Sequence, residues 1–215
     1  EALEVIREKS KDTGSRLFVF GEDFLCTDRN SPEEGESFTF RYQEMYLEDL
    51  KISMIGRHQT NNAALAVMTA IRMNEDHGFN IGEKQIRTGL KQAHWKGRLE
   101  TMSAHPTVIV DGSHNEEGVK ALVDTIERRF PESRRIFVLA TLADKENDKM
   151  VSLVESAADR IIFTEFEAER AITAEKLASF TNTAEYKVIP DWRKAVEEGL
   201  GSLSEEDVLI VTGSL

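Results

Sequence analysis

Residues 107–126 read TVIVDGSHNEEGVKALVDTI, and the fold class turns on this stretch. Thr107 to Val110 form a short β-branched run, as a strand buried in a sheet requires. Val119, Leu122, Val123 and Ile126 then recur at the spacing of one helical face. The polar joint between them suits a strand-to-helix turn. Gly112 permits a tight bend, Ser113 or Asn115 can cap the helix, and Glu116 and Glu117 are favourable in its first turn.

Toward the C-terminus the alternation repeats. Ile136 to Ala140, Ile161 to Phe163, Tyr186 to Ile189 and Val208 to Val211 read as strands. Between them lie helical stretches: Met150, Leu153, Val154 and Ala157 on one stripe, then Ala174 to Phe180, then Trp192 to Leu200. Five strands alternating with four helices predict an α/β, Rossmann-like, mainly parallel sheet domain with helices on both faces. Ligands of such sheets gather at the carboxyl ends of the strands, which directs attention to the loops after Val110, Ala140 and Val211.

The N-terminal half is mixed. Leu3 and Ile6 share a helical face, and Leu17 to Phe20 reads as a buried strand ending at Gly21. Asp28 to Gly35 carries turn chemistry and predicts a loop. Phe38, Phe40 and Tyr42 alternate with polar residues, as do Leu50, Ile52 and Met54, predicting two antiparallel strands. A helix is expected from Asn61, with the stripe Ala64, Val67, Met68 and Ile71, stopping at Gly78. A second follows around Glu83 to Ala93, and His94 to Arg98 is the candidate linker.

Composition narrows the function. The chain has 215 residues, 40% hydrophobic and 31% charged, an ordinary globular mixture. Its longest apolar run, Ala63 to Met68, falls far short of the roughly twenty residues a membrane helix needs. A net charge of −12 argues against broad nucleic-acid binding while leaving room for an anion in a locally basic cleft. The single cysteine, Cys26, excludes an internal disulfide framework and points to a reducing compartment. It reads as a packed thiol, and Trp95 and Trp192 as core or interface residues. The opening inside a helical run, and the end just after a β-like run, suggest a piece of a longer chain.

Several segments concentrate chemistry. Asp111 at a strand end can be structural or ligand-binding; His114, just before a helix N-terminus, suits contact with a phosphate or an acyl oxygen. Arg98, in Gly97-Arg98-Leu99-Glu100, can grip phosphate or form a salt bridge with Glu100 or another acid. Gly56 to Asn62 gathers polar side chains at a helix start, so Asn61 or Asn62 is either an N-cap or part of an anion or nucleobase site. Asp144-Lys145-Glu146 follows a strand and reads first as a solvated cluster. Gly199 and Gly201 lie at a helix end, so they are no dinucleotide fingerprint; no GxxxxGK[ST], HExxH or GxSxG occurs.

In order, Gly56-Arg57-His58-Gln59-Thr60-Asn61-Asn62-Ala63-Ala64, Gly97-Arg98-Leu99-Glu100, Asp111-Gly112-Ser113-His114-Asn115, Asp144-Lys145 and Thr212-Gly213-Ser214-Leu215 resemble the C-terminal half of the folylpolyglutamate synthase/dihydrofolate synthase family, within the Mur ligase superfamily. Gly21-Glu22-Asp23-Phe24 is also similar, and Ser113 stands where that family usually has Ala. The resemblance implies that residues 1–95 are the tail end of a mixed α/β, Mur-ligase-type ATPase domain. Residues 96–215 would then be the C-terminal Rossmann-like domain.

It further implies an ATP- and Mg2+-dependent cytoplasmic ligase that joins L-glutamate to a folate or pteroate through an acyl phosphate. Asn62 would contact the adenine end of ATP, and Arg98 and Asp111 would hold ribose and phosphates. His114 would lie near the reacting phosphate as the catalytic residue, with Asn115, Lys145 and Ser214 as weaker candidates. The phosphate loop and magnesium ligands would lie upstream, so no metal ligand is assigned to this chain, which alone is expected to be inactive and monomeric. No nucleic-acid or membrane partner is expected. The competing readings are a Mur-type amino-acid ligase of peptidoglycan synthesis and a non-catalytic nucleotide-binding module.

Overall fold

The computed structural model describes residues 2–32, 34–182 and 185–213. The chain divides into two compact units, Glu1–Ser53 with Arg57–Ala93, and Met54–Gly56 with His94–Leu215.

In the first unit, α1 (Ala2–Thr13) precedes an antiparallel sheet of β1 (Phe24–Asn30), β2 (Glu36–Tyr42) and β3 (Met45–Ile52), ordered β1-β2-β3. The helix α2 (Arg57–His77) packs on β1 and β2 and buries Ala63, Ala64, Val67, Met68 and Ile71. Gly78, at φ +67°, ends it by donating its N–H to Asn74 O at 3.0 Å. Finally α3 (Glu83–Gln92) packs on β3, where the Arg87 guanidinium donates to the carbonyls of Glu48 and Asp49 at 2.8 and 3.1 Å.

Three expectations for this half need correction. Leu17 to Phe20 is not a strand; only Phe20 makes an isolated bridge, to Phe24. A turn takes the backbone groups a strand would use: Asp23 Oδ2 accepts Val19 N at 2.6 Å, and Val19 O accepts from Glu22 and Asp23. Of the expected loop Asp28 to Gly35, the first three residues, Asp28 to Asn30, are instead the end of β1. Its turn-prone residues are accommodated by a register shift between Thr27 and Asn30, with Asp28 at φ +50°. The helix begins at Arg57, directly after Gly56 at φ +109°, so Asn61 and Asn62 lie inside it and cap nothing.

The second unit is a six-stranded sheet. Its strands are β4 (Glu100–Ala104), β5 (Thr107–Asp111), β6 (Arg135–Ala140), β7 (Arg160–Glu165), β8 (Tyr186–Asp191) and β9 (Val208–Gly213), in spatial order β4-β5-β9-β6-β7-β8. All pairs are parallel except β4 with β5. The edge strand β4 was not expected. Its residues ETMSA are largely exposed, Met102 to 62%, so no apolar period marks it.

The connecting helices are α4 (Glu116–Arg129), α5 (Asn147–Ala157), α6 (Ala174–Ala178) and α7 (Trp192–Gly201). From β5 through β8 the chain moves in one direction across the sheet, and from β8 to β9 it returns. Right-handed crossovers therefore put α4, α5 and α6 on one face and α7 on the other. The two cores agree with this. Ile109, Phe137, Leu139, Phe163 and Ile210 pack with Leu122, Met150 and Leu177, whereas Ile136, Val138, Ile162 and Leu209 pack with Ala195.

The carboxyl edge of the sheet is tightly built. Asp111, Thr212 and Leu139 stand in register across β5, β9 and β6, and Gly213 pairs with Ala140. A Cβ on Gly213 would lie 1.7 Å from Ala140 O, and its φ is +123°, so only glycine fits. Among the described residues no helix is long and apolar enough to cross a membrane.

Candidate functional site

The loop after β5 is fixed from beneath by Asp111, which is buried. Its Oδ2 accepts Leu99 N and its Oδ1 accepts Ser113 N, both at 2.9 Å. Gly112 N donates to Gly97 O at 2.7 Å, and Gly97 N to Glu100 Oε2 at 2.8 Å. These bonds join the 95–100 segment to the turn that starts α4. Leu99 sits at φ +49°, which costs about 1–2 kcal/mol for a residue with a side chain. Burying that side chain to 3% exposure returns a comparable ~1.5–3 kcal/mol.

The cap of α4 is Asn115, whose Oδ1 accepts Gly118 N at 2.8 Å; Ser113 instead contributes its backbone N–H to Asp111. His114 is half-buried, with Nδ1 2.9 Å from Gly112 O. A carbonyl only accepts, so Nδ1 carries the proton and the neutral ring leaves Nε2 as an acceptor. A second proton on Nε2 would make it a cationic donor.

A concavity of about 450 Å3 opens over these loops, lined by Trp95, Lys96, Gly97, Arg98, Gly112, His114, Leu142 and Lys145. Three of the eight are cations and none is an acid. Arg98 makes no salt bridge among the described residues, and neither do Lys96 and Lys145. The expected alternative partner of Arg98 is engaged elsewhere, because Glu100 accepts Gly97 N and lies 3.5 Å from His94 Nε2. Three other nearby acids are likewise occupied. Asp144 pairs with Arg170 at 2.8 Å, while Glu116 and Glu146 flank Lys149 Nζ at 3.0 and 2.5 Å. Bonds from Glu146 first and Glu116 second raise the Lys149 pKa above its ordinary value. Within a chain of net charge −12, the result is a locally cationic hollow suited to an anion.

The residues singled out from the sequence divide among several places. Arg98, His114 and Lys145 line the hollow; Asp111 and Asn115 hold the loops that shape it. Ser214 lies outside the described residues. Asn62 belongs to the first unit, is exposed on α2 and donates to Gln59 Oε1 at 3.1 Å. Sequence reasoning missed Lys96, whose signal was its adjacency to Gly97-Arg98. Of the two expectations for Trp95 and Trp192, core or interface, their exposures of 69% and 44% remove the core. Cys26 is buried, as expected, and takes the Arg29 guanidinium at 2.8 Å. Among the described residues no group of three or more His, Cys, Asp or Glu is placed to hold a metal ion.

Fold and site together define a parallel-sheet α/β domain with a cationic hollow at the carboxyl ends of its strands. Residues 97–215 match the family model described as Mur ligase, glutamate ligase domain, and the chain belongs to that family. It is 35% identical over 218 residues to the dihydrofolate synthase/folylpolyglutamate synthase of Bacillus subtilis (strain 168), covering 100% of this chain and 50% of that protein. To the folylpolyglutamate synthase of Lacticaseibacillus casei it is 28% identical over 216 residues, 100% of this chain and 49% of that protein. The fold also matches the folylpolyglutamate synthase of Mycobacterium tuberculosis solved with ADP and AMPPCP. The TM-score there is 0.87 at 24% identity, covering 99% of this chain and 50% of the other. The chain spans about half the length of the curated relatives it matches.

Proposed function

We propose that this chain is the C-terminal half of a cytoplasmic, ATP-dependent ligase that adds L-glutamate to a folate, and that it supplies part of the nucleotide site. The observation that carries the reading is the hollow lined by Lys96, Arg98, Lys145 and His114, with the nearby carboxylates of Glu100, Glu116, Asp144 and Glu146 engaged elsewhere. Cations at strand ends with no ion pair among the described residues suit a polyphosphate.

In this reading a folate carboxylate oxygen attacks the γ-phosphorus of ATP, and ADP leaves. The glutamate amine then attacks the acyl carbon, phosphate leaves, and the amine proton passes to solvent or a base. Positioning and charge stabilisation do most of the work. Arg98 and Lys145 hold phosphate oxygens, and His114 contacts the transferring group. Asp111 and Asn115 keep the loops in place. Mg2+ bound to the nucleotide would neutralise part of its charge.

The test uses the complete polypeptide that carries this chain, with Mg-ATP and L-glutamate. ADP release is followed with dihydropteroate, with a reduced folate and with a UDP-linked muramyl acceptor in turn. Release with either pterin acceptor is expected, and the pattern between them tells a monofunctional from a bifunctional enzyme. Release with the muramyl acceptor alone would move the protein to cell-wall synthesis. Silence with all three from a folded protein would leave a non-catalytic nucleotide-binding module. The 215-residue chain by itself is expected to give no turnover.

A further inference from the structure

We propose that Trp95 is a stacking platform for the heteroaromatic base of a nucleotide whose phosphates the adjacent cations hold. Three observations meet here. The first is exposure. Trp95 is 69% exposed, above every other large hydrophobic residue described, and it lines the hollow rather than open surface.

The second is an unoccupied ring. Trp192, the other tryptophan, has the Arg193 guanidinium 4.4 Å from its ring centroid. Trp95 has no ring or cation partner among the described residues, although Lys96, Arg98 and His114 line the same hollow. An indole face left uncovered beside Lys96 and Arg98 accepts a flat ligand ring without displacing an existing contact.

The third is rigidity. Trp95 O accepts Arg98 N at 3.3 Å, closing a turn with Lys96 and Gly97 at its centre and Gly97 at φ +66°. That turn is fastened to the β5 loop by Gly112 N on Gly97 O at 2.7 Å. Trp95 and Arg98 are thus the two ends of one anchored turn. An aromatic surface and a phosphate-binding fork in a fixed relation are what a nucleotide, a flat ring joined to a polyanion, requires. A folate also joins a flat ring to anions. The density of cations here, Lys96, Arg98 and Lys145 with none of them ion-paired among the described residues, favours the more highly charged nucleotide.

This inference rests on the nucleotide reading above, and the experiment separates their failures. The complete polypeptide is titrated calorimetrically with ADP and with inorganic tripolyphosphate, as wild type and as Trp95→Leu, Trp95→Phe and Arg98→Ala. Base stacking on an aromatic side chain predicts that Trp95→Leu weakens ADP about ten-fold or more while sparing tripolyphosphate. Trp95→Phe should retain most of the ADP affinity, and Arg98→Ala should weaken both ligands. An unchanged ADP affinity in Trp95→Leu overturns the proposal and leaves the nucleotide site standing. So does a lowered Tm with ADP binding intact, which would mean that Trp95 packs on protein. A raised KM for the folate acceptor with ADP unaffected would assign the ring to the folate and likewise overturn it. Wild-type protein that binds neither ADP nor tripolyphosphate overturns both readings together.

Discussion

Asp111 and Leu99 are joined by a hydrogen bond of 2.9 Å from the leucine N–H to Oδ2, and the same carboxylate takes Ser113 N through Oδ1. One buried anion thereby fixes both the segment that carries Arg98 and the loop that carries His114. Asp111→Asn replaces one acceptor oxygen with an NH2 group facing a backbone donor. Hydrogen bonds to charged groups contribute about 1.5–3 kcal/mol, and the repulsion adds to their loss. A destabilisation of about 2–3 kcal/mol is expected from urea denaturation. A change below ~0.5 kcal/mol would show that the loops are held by something else.

At the neighbouring strand end, Gly213→Ala is expected to lower stability by about 3 kcal/mol or more, because a Cβ cannot lie 1.7 Å from a carbonyl oxygen at φ +123°. Gly89→Ala is the control. It lies within α3 with nothing inside 4 Å of the added Cβ, so a gain of about 0.5–1 kcal/mol is expected. Thermal melts of both variants check this. Equal melting temperatures would mean that β9 yields at its end.

The contrast between the two units shows what the sequence made legible. Strands such as Ile161 to Phe163 and Val208 to Val211 are buried on both faces, and α4 carries its stripe and its Asn115 cap in plain order, so the parallel sheet could be read. The order β5-β9-β6 could not, because no local pattern says that the last strand inserts in the middle. Phe20 and Asp28 misled for a related reason. Their propensities are right for a strand and a turn, but the Val19–Asp23 turn and the β1 bulge decided otherwise. At the site, Arg98, His114 and Lys145 stood out by charge and position, and the hollow brings them together. Trp95 was legible only as an aromatic. Its exposure is a property of the fold, set by which groups pack over it.

Glu198 gives a pH signature. Hydrogen bonds from Lys187 at 2.5 Å and Arg160 at 2.9 Å, strongest from Lys187, hold its carboxyl below the ordinary range. A carboxyl depressed in the folded state contributes stability above its unfolded pKa of about 4.3, and that stability is lost as pH falls through the folded value. Glu198→Gln should therefore be less stable than wild type at pH 7, with the gap closing below about pH 4. Melting temperatures taken across this range decide it. A gap that persists once the carboxyl is protonated in the folded state would mean that packing by the Glu198 stem, rather than its charge, is what matters.

Arg98 should behave in the opposite way to Asp111. Its side chain is exposed and makes no ion pair among the described residues, so Arg98→Ala should change stability by no more than ~0.5 kcal/mol. A guanidinium on a phosphate, by contrast, contributes about 1.5–3 kcal/mol, which is roughly ten-fold to a hundred-fold in affinity. The complete polypeptide carrying Arg98→Ala should therefore melt with wild type while its ADP affinity falls by that factor. Arg98→Lys should recover only part of the loss, because an ammonium keeps the charge and gives up the two-pronged geometry. A lowered melting temperature with unchanged ADP binding would assign Arg98 to holding the structure. Full recovery by lysine would reduce its role to charge alone.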